Sequence, residues 1–251
     1  YLFLFPGLQN MIDHNLNLLP EAVRENLSSL HDEPWKQALM SLVARLPVSQ
    51  DRSDFQYKKT TELVKDLLIM KNSLLKIGAS RLANEDLFRL LRLVETFGFH
   101  GAALDIRQNS AFHEKALQQL IHCAGIELDW LKLNEDERLQ WLNKELQSPR
   151  PFTHSSNRVG TEADKVLNCY RSIRLFMEQS TPDCMGSLIV SMTRSLSDLL
   201  TVYLLARESG LAVDEGNGLV CRLPIVPLFE TVEDLKHSPQ ILGDFLEHPV
   251  T

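Results

Sequence analysis

The sequence is poor in the features that most often announce a function. It holds only four cysteines, Cys123, Cys169, Cys184 and Cys221, far apart and without a C-x-x-C pair. That excludes a disulfide framework or a cysteine zinc site and suits reduced, mostly buried thiols in a cytoplasmic protein. Basic residues are in deficit: 26 Lys and Arg face 33 Asp and Glu, a net charge of −7. A broad nucleic-acid surface needs a cationic face and is excluded; a local cationic pocket for a small anion is not. No apolar run is long enough for a membrane partner. Tyr1-Leu2-Phe3-Leu4-Phe5 is too short for a span or a signal core and reads as the edge of a buried element. A chain that opens on Tyr1 rather than Met reads as a piece of something longer. There is no Walker loop, dinucleotide fingerprint or nucleophile elbow, and His113-Glu114 lacks the second His of a zinc helix.

What is present is an ordinary globular composition, 44% hydrophobic and 24% charged over 251 residues, enough for one large core or two small ones. Residues 1–97 read as helical. Trp35, Ala38, Leu39, Leu42, Val43 and Leu46 recur at helical period until Pro47. A second helix over 60–77 carries Leu63, Val64, Leu67, Leu68, Leu74 and Leu75 and stops at Gly78. A third, capped by Asn84, carries Leu87, Leu90, Leu91 and Val94 and ends near Gly98. These stripes predict packing surfaces, with no convergence of chemistry.

From Phe99 the character changes to strands followed by helices. A strand over 100–108 carries Arg107 and leads into a helix from Ser110 to Gly125. Asn134-Glu135-Asp136-Glu137 is a capping-box pattern for a helix to about Leu146. Residues 148–160 are a loop by composition, and Thr161 opens a long helix to about Gln179. A buried strand over 187–192 leads through Thr193-Arg194 into a helix from Ser195 to Gly210. A turn-rich link over 210–218 follows. The apolar run 223–229 predicts a strand covered on both faces, ending on Glu230, with Thr231 capping a further helix and Glu233 and Asp234 in its first turn. Ser238-Pro239 predicts the start of a last helix over 240–247.

Strands separated by helices imply parallel pairing, so Arg107, Thr193-Arg194 and Glu230 should share one strand-end face, where α/β barrels keep their chemistry. Three strands do not close an eight-stranded barrel. A Glu before a helix also has a plain reading as a capping or solvated residue. Arg194 reads equally as an anion contact or as half of a surface ion pair. His113, three residues after the Ser110 expected to cap its helix, predicts a helix-surface contact or a first-turn hydrogen bond, and Ser197-Asp198 a cap.

Three stretches taken together carry a family. Phe97-Gly98 with Leu104-Asp105-Ile106-Arg107-Gln108, Ser110 and His113; Ile189-Val190-Ser191-Met192 with Ser197-Asp198-Leu199-Leu200 and Leu204-Leu205; and Val226-Pro227-Leu228-Phe229-Glu230-Thr231 with Asp234-Leu235 stand in one order. In order and approximate spacing they resemble phosphoenolpyruvate carboxylase, and Arg150-Pro151 falls between them where that family has an Arg-Pro. The resemblance covers residues 85–240 and corresponds to a middle portion of a much longer enzyme. It implies a helix-rich α/β fold, a partial arc of a phosphoenolpyruvate-carboxylase-type (β/α) barrel with extra helices. Residues 1–97 would be a mainly helical segment packed on the barrel, and 98–251 an incomplete barrel segment with three strand-helix units.

The resemblance further implies carboxylation of phosphoenolpyruvate with bicarbonate to oxaloacetate and phosphate, with Mg2+ or Mn2+, in a homo-oligomeric parent. Carried onto this sequence, Glu230 is one metal carboxylate, Arg107 helps hold the substrate phosphate and Arg194 is a candidate anion contact. The family's second metal carboxylate lies in a Gly-Tyr-Ser-Asp motif and its catalytic His in a Thr-x-His-Pro-Thr-Glu motif; neither occurs in these 251 residues. The expectation is an isolated segment that is inactive and binds no metal. The alternative is a helical scaffold or interaction module descended from such an enzyme.

Overall fold

The computed structural model describes residues 6–47, 53–154, 156–179, 184–216 and 218–250; the expectation for Tyr1 to Phe5 lies outside them. The chain divides into two compact units, Tyr1–Ala102 and Ala103–Thr251.

The first unit is helical: α1 (Pro6–Leu18), α2 (Glu21–Ser28), α3 (Pro34–Ala44), α4 (Thr60–Lys76) and α5 (Leu87–Phe97). Its buried stripes are rotated from those the apolar pattern predicts. On α3, Leu39 and Val43 are exposed while Gln37 and Ser41 are buried beside Ala38 and Leu42. On α4, Leu68 and Leu75 are exposed while Asp66 and Ser73 are buried. The reason is a polar cluster. Asp66 accepts from the Tyr57 hydroxyl at 2.7 Å and from Asn15 at 3.2 Å, and Arg45 lies 3.6 Å from it while donating to Asn15. Gln37 donates to the Leu27 carbonyl at 2.9 Å. Buried polar groups must be paired, and pairing these turns each helix by part of a turn. Asn84 does not cap α5; it sits within a π-helical turn (Leu82–Asp86) that runs straight into it.

In the second unit, β1 (Leu104–Asn109) leads to α6 (Ser110–Cys123), α7 (Glu135–Leu146) and α8 (Thr161–Gln179). After β2 (Met185–Ser191) come α9 (Leu196–Ser209), β3 (Ala212–Asp214), β4 (Leu219–Cys221), β5 (Ile225–Leu228) and α10 (Val232–Leu246). The capping box predicted for α7 is present on Asn134 and Glu137, and Thr231 with Asp234 forms a second one on α10. The cap of α6 is Asn109 rather than Ser110. The link after Gly210 contains an antiparallel hairpin, β3 with β4. Pro239 does not start a helix but lies inside α10. The carbonyl that loses its proline-blocked partner, Leu235, accepts instead from the Ser238 hydroxyl at 2.9 Å.

The sheet is parallel, with β2 between β1 and β5. Ile106, Leu188 and Ile225 form one row, against the helical core of Leu117, Leu120, Leu167, Leu199 and Leu204. The next row, Arg107, Ile189 and Val226, points to the other face, where Val226 is 39% exposed. The prediction of a strand covered on both faces therefore fails for β5, because helices cover only the face that Ile225 presents. α9 is buried on every side, so its run of leucines packs all round rather than in a stripe. The cysteines correct another expectation: Cys123 and Cys169 are exposed, Cys221 is half-buried and only Cys184 is buried.

Candidate active site

The strand ends bring two of the three predicted residues together. Arg107 extends from β1 and its Nη2 donates to Glu230 Oε1, across the end of β2. The other carboxylate oxygen, Oε2, accepts from the Met192 amide at 3.2 Å. The pair faces solvent, with the Arg107 side chain 53% exposed and that of Glu230 30%. In such a setting an ion pair stabilises by about 0–1 kcal/mol, so either side chain can exchange its partner at little cost.

Two devices fix where Arg107 stands. The register of β1 on β2 slips between Leu104 and Ile106, which pair with Met185 and Leu188. The extra residue on β2 is accommodated by Asp105, whose carboxylate accepts from the Ser187 amide at 2.8 Å. Gly186 leaves the room for it, since a Cβ there would overlap the Asp105 carboxyl group. Below the slip, Arg107 pairs with Ile189 and Asn109 with Ser191, aligning the β1 end with that of β5.

The third residue, Arg194, is held elsewhere. Its Nε and Nη2 donate to Asp198 at 3.1 and 2.8 Å, and Nη2 also reaches Glu114 at 3.4 Å. Glu114 in turn pairs with Arg138 at 2.6 Å. The hydrogen bonds it donates to Asp198 hold the Arg194 guanidinium charged well beyond its ordinary range. Asp198 also accepts from the Arg194 backbone amide at 2.9 Å, and Ser197 binds Glu135 through its amide and hydroxyl. His113, for which the sequence predicts a helix-surface contact or a first-turn hydrogen bond, is buried, with Nε2 3.1 Å from the Tyr170 hydroxyl of α8.

Glu230 offers hard oxygen donors of the kind Mg2+ and Mn2+ take. Among the described residues, however, no three His, Cys, Asp or Glu side chains gather as a metal site, and one Glu230 oxygen is held by Arg107. The described residues do not by themselves make a metal centre. Among them, too, no helix is long and apolar enough to cross a membrane.

Motif reading of the sequence missed Asp105, Gly186 and Met192 as parts of this site. A glycine at the edge of a strand is a signal for a bulge or close approach and could have marked Gly186. Met192 closes the quoted stretch Ile189-Val190-Ser191-Met192, but nothing there marks a role for its backbone.

The family profile described as phosphoenolpyruvate carboxylase matches residues 6–251. Among curated relatives, the phosphoenolpyruvate carboxylase of Rhodothermus marinus is 40% identical over 195 residues, covering 74% of this chain and 21% of that protein. That of Roseiflexus castenholzii is 34% identical over 257 residues, covering 97% of this chain and 27% of the relative. That of Mycobacterium avium is 35% identical over 231 residues, covering 87% and 25%. The chain spans about a quarter of the length of these relatives. With a family profile matched over nearly its whole length, the chain belongs to the phosphoenolpyruvate carboxylase family.

Proposed function

We infer that this chain supplies part of the active site for carboxylation of phosphoenolpyruvate with bicarbonate to oxaloacetate and phosphate, in a cytoplasmic homo-oligomeric enzyme. The observation that carries the reading is the meeting of Arg107 and Glu230 at the ends of two parallel strands. A guanidinium fork suits the phosphoryl oxygens of the substrate. Glu230 is proposed as one carboxylate of a Mg2+ or Mn2+ site completed by the family's Gly-Tyr-Ser-Asp motif; the cation would polarise the enolate oxygen. Until both ligands arrive, each side chain neutralises the other. Arg194, tied to Asp198 and Glu114, serves better to hold the start of α9 than to bind substrate.

The three parallel strands are proposed as an arc of the family's (β/α) barrel, with residues 98–251 as the barrel segment and 1–97 as its helical accompaniment. Support comes from the sheet face that carries Arg107, Ile189 and Val226, which in a closed barrel would line the interior. A second reading, a scaffold without catalysis, is favoured by the same ion pair, since a phosphate-binding arginine neutralised by its neighbour needs no ligand.

A coupled assay for oxaloacetate separates the two. The 251-residue chain alone is expected to give no turnover. Residues 6–251, exchanged for the matching quarter of the Roseiflexus castenholzii enzyme, are expected to support it. Arg107→Gln in that enzyme should raise KM for phosphoenolpyruvate about tenfold to hundredfold, the range of a hydrogen bond to a charged group. A folded exchange enzyme without activity, or one indifferent to Arg107→Gln, overturns the carboxylase reading.

A further inference from the structure

Met192 is the one non-glycine residue with a left-handed backbone among those described, at φ +54°. Side chains other than Asn and Asp rarely accept that conformation, and it persists where surrounding bonds impose it. Packing of the side chain is not the cause, since Met192 is 37% exposed. The bonds are made by its backbone. The amide donates to Glu230 Oε2 at 3.2 Å, and the carbonyl accepts from Ser110 Oγ, the first residue of α6, at 2.7 Å. The next residue closes the turn: the Thr193 amide donates to the Leu228 carbonyl at 3.3 Å and its hydroxyl to the Val190 carbonyl at 2.7 Å. The central strand thus leaves the sheet through a residue that bonds to the helix following one neighbour and to the acid following the other.

We propose that Met192 is the positioning residue of Glu230, its left-handed turn fixing one carboxylate oxygen so that the group keeps its place when the other oxygen releases Arg107. The two bonds differ in kind. Arg107 holds Glu230 through a long, half-exposed side chain, while Met192 holds it through backbone pinned at both sides. The release of Arg107 to a substrate phosphate rests on the carboxylase reading; the positioning itself does not. The turn also accounts for Ser110, which gives up the capping role to Asn109 and anchors Met192 instead.

Amide hydrogen exchange in the 251-residue chain, followed residue by residue, tests this. Glu230→Ala is expected to speed exchange at the Met192 amide about tenfold to hundredfold, the effect of losing a charged acceptor, while α8 amides are unchanged. Met192→Gly, which adopts positive φ freely, and Met192→Ala, whose Cβ costs no more there than that of methionine, should both keep the residue-192 amide slow; the β-branched Met192→Ile should quicken it. Met192→Val gives the same comparison if the isoleucine variant does not fold. Exchange at residue 192 that ignores Glu230→Ala, or that is equal in the glycine and β-branched variants, overturns the proposal. An exchange enzyme without turnover would sink the carboxylase reading and leave this result standing.

Discussion

His113, enclosed beside Tyr170, has its pKa pushed down to about 4 by burial, and its Nδ1 has no hydrogen-bond partner. The folded state therefore keeps the imidazole neutral, while the unfolded chain takes up a proton near pH 6.5. As pH falls below about 6.5 the unfolded state binds the extra proton, so stability is lost progressively until about pH 4, by up to about 3 kcal/mol. Urea unfolding at pH 7.5 and 5 should show the drop, and His113→Phe should remove most of it; an equal drop in both proteins would exclude His113 as the cause. Charge is buried in the Arg207–Glu208 pair at the end of α9. Arg207 donates to the Glu145 and Ser148 carbonyls, and Glu208 accepts from the Phe152 and Thr153 amides. Burial raises the Glu208 pKa, against the opposing pull of those partners. Arg207→Met alone should cost about 3–5 kcal/mol by stranding the carboxylate, and the double change Arg207→Met with Glu208→Leu markedly less. At this scale the motifs made Arg107 and Glu230 legible. Met192, whose role lies in its backbone, left no trace in side-chain chemistry.

Among elements, the interlock of β1 with β2 is the most exposed to a small change. Gly186→Ala places a methyl group where the Asp105 carboxyl stands and should destabilise the second unit by about 1–3 kcal/mol. Adding Asp105→Ala to Gly186→Ala should recover part of the loss, because the clash goes with the carboxyl; strict additivity in denaturant unfolding would show that the two do not touch. Helix existence was plain from apolar period, and the capping box on Asn134 from its spacing. The buried face of α3 and α4 was not. Asp66, Arg45, Asn15 and Tyr57 are polar, and a reading that places polar residues outward turns the stripe the wrong way when they satisfy one another inside. Pro239 misled for a similar reason: a side chain one residue away supplies the bond that proline removes.

For the molecule, a net charge of −7 opposes association, but the sheet argues the other way. Its outer strands β1 and β5 are edges among the described strands, and Leu104 and Val226 are 60% and 39% exposed. Unpaired strand edges with apolar side chains recruit further strands. Sedimentation of the chain should show self-association that grows with concentration; a monomer throughout would speak against an open sheet. The α/β character was legible because β2 and β5 are compact apolar runs; β1, Leu104-Asp105-Ile106-Arg107-Gln108-Asn109, is not one, and its strand begins four residues later than the predicted 100–108. The short hairpin of β3 and β4 was hidden among turn residues.

The partners at the heart of the site are 123 residues apart in sequence. At a synthesis rate of about 5–20 residues per second, roughly 6–25 seconds separate the emergence of Arg107 from that of Glu230. For most of that interval β1 waits without a partner, until β2 (Met185–Ser191) emerges, and the β1–β2 pair then waits, with β2 open on its other side, for β5. The same order of strands that lets the site draw on distant parts of the chain makes its assembly a late event, and leaves the nascent protein in need of shelter until the third strand is in place.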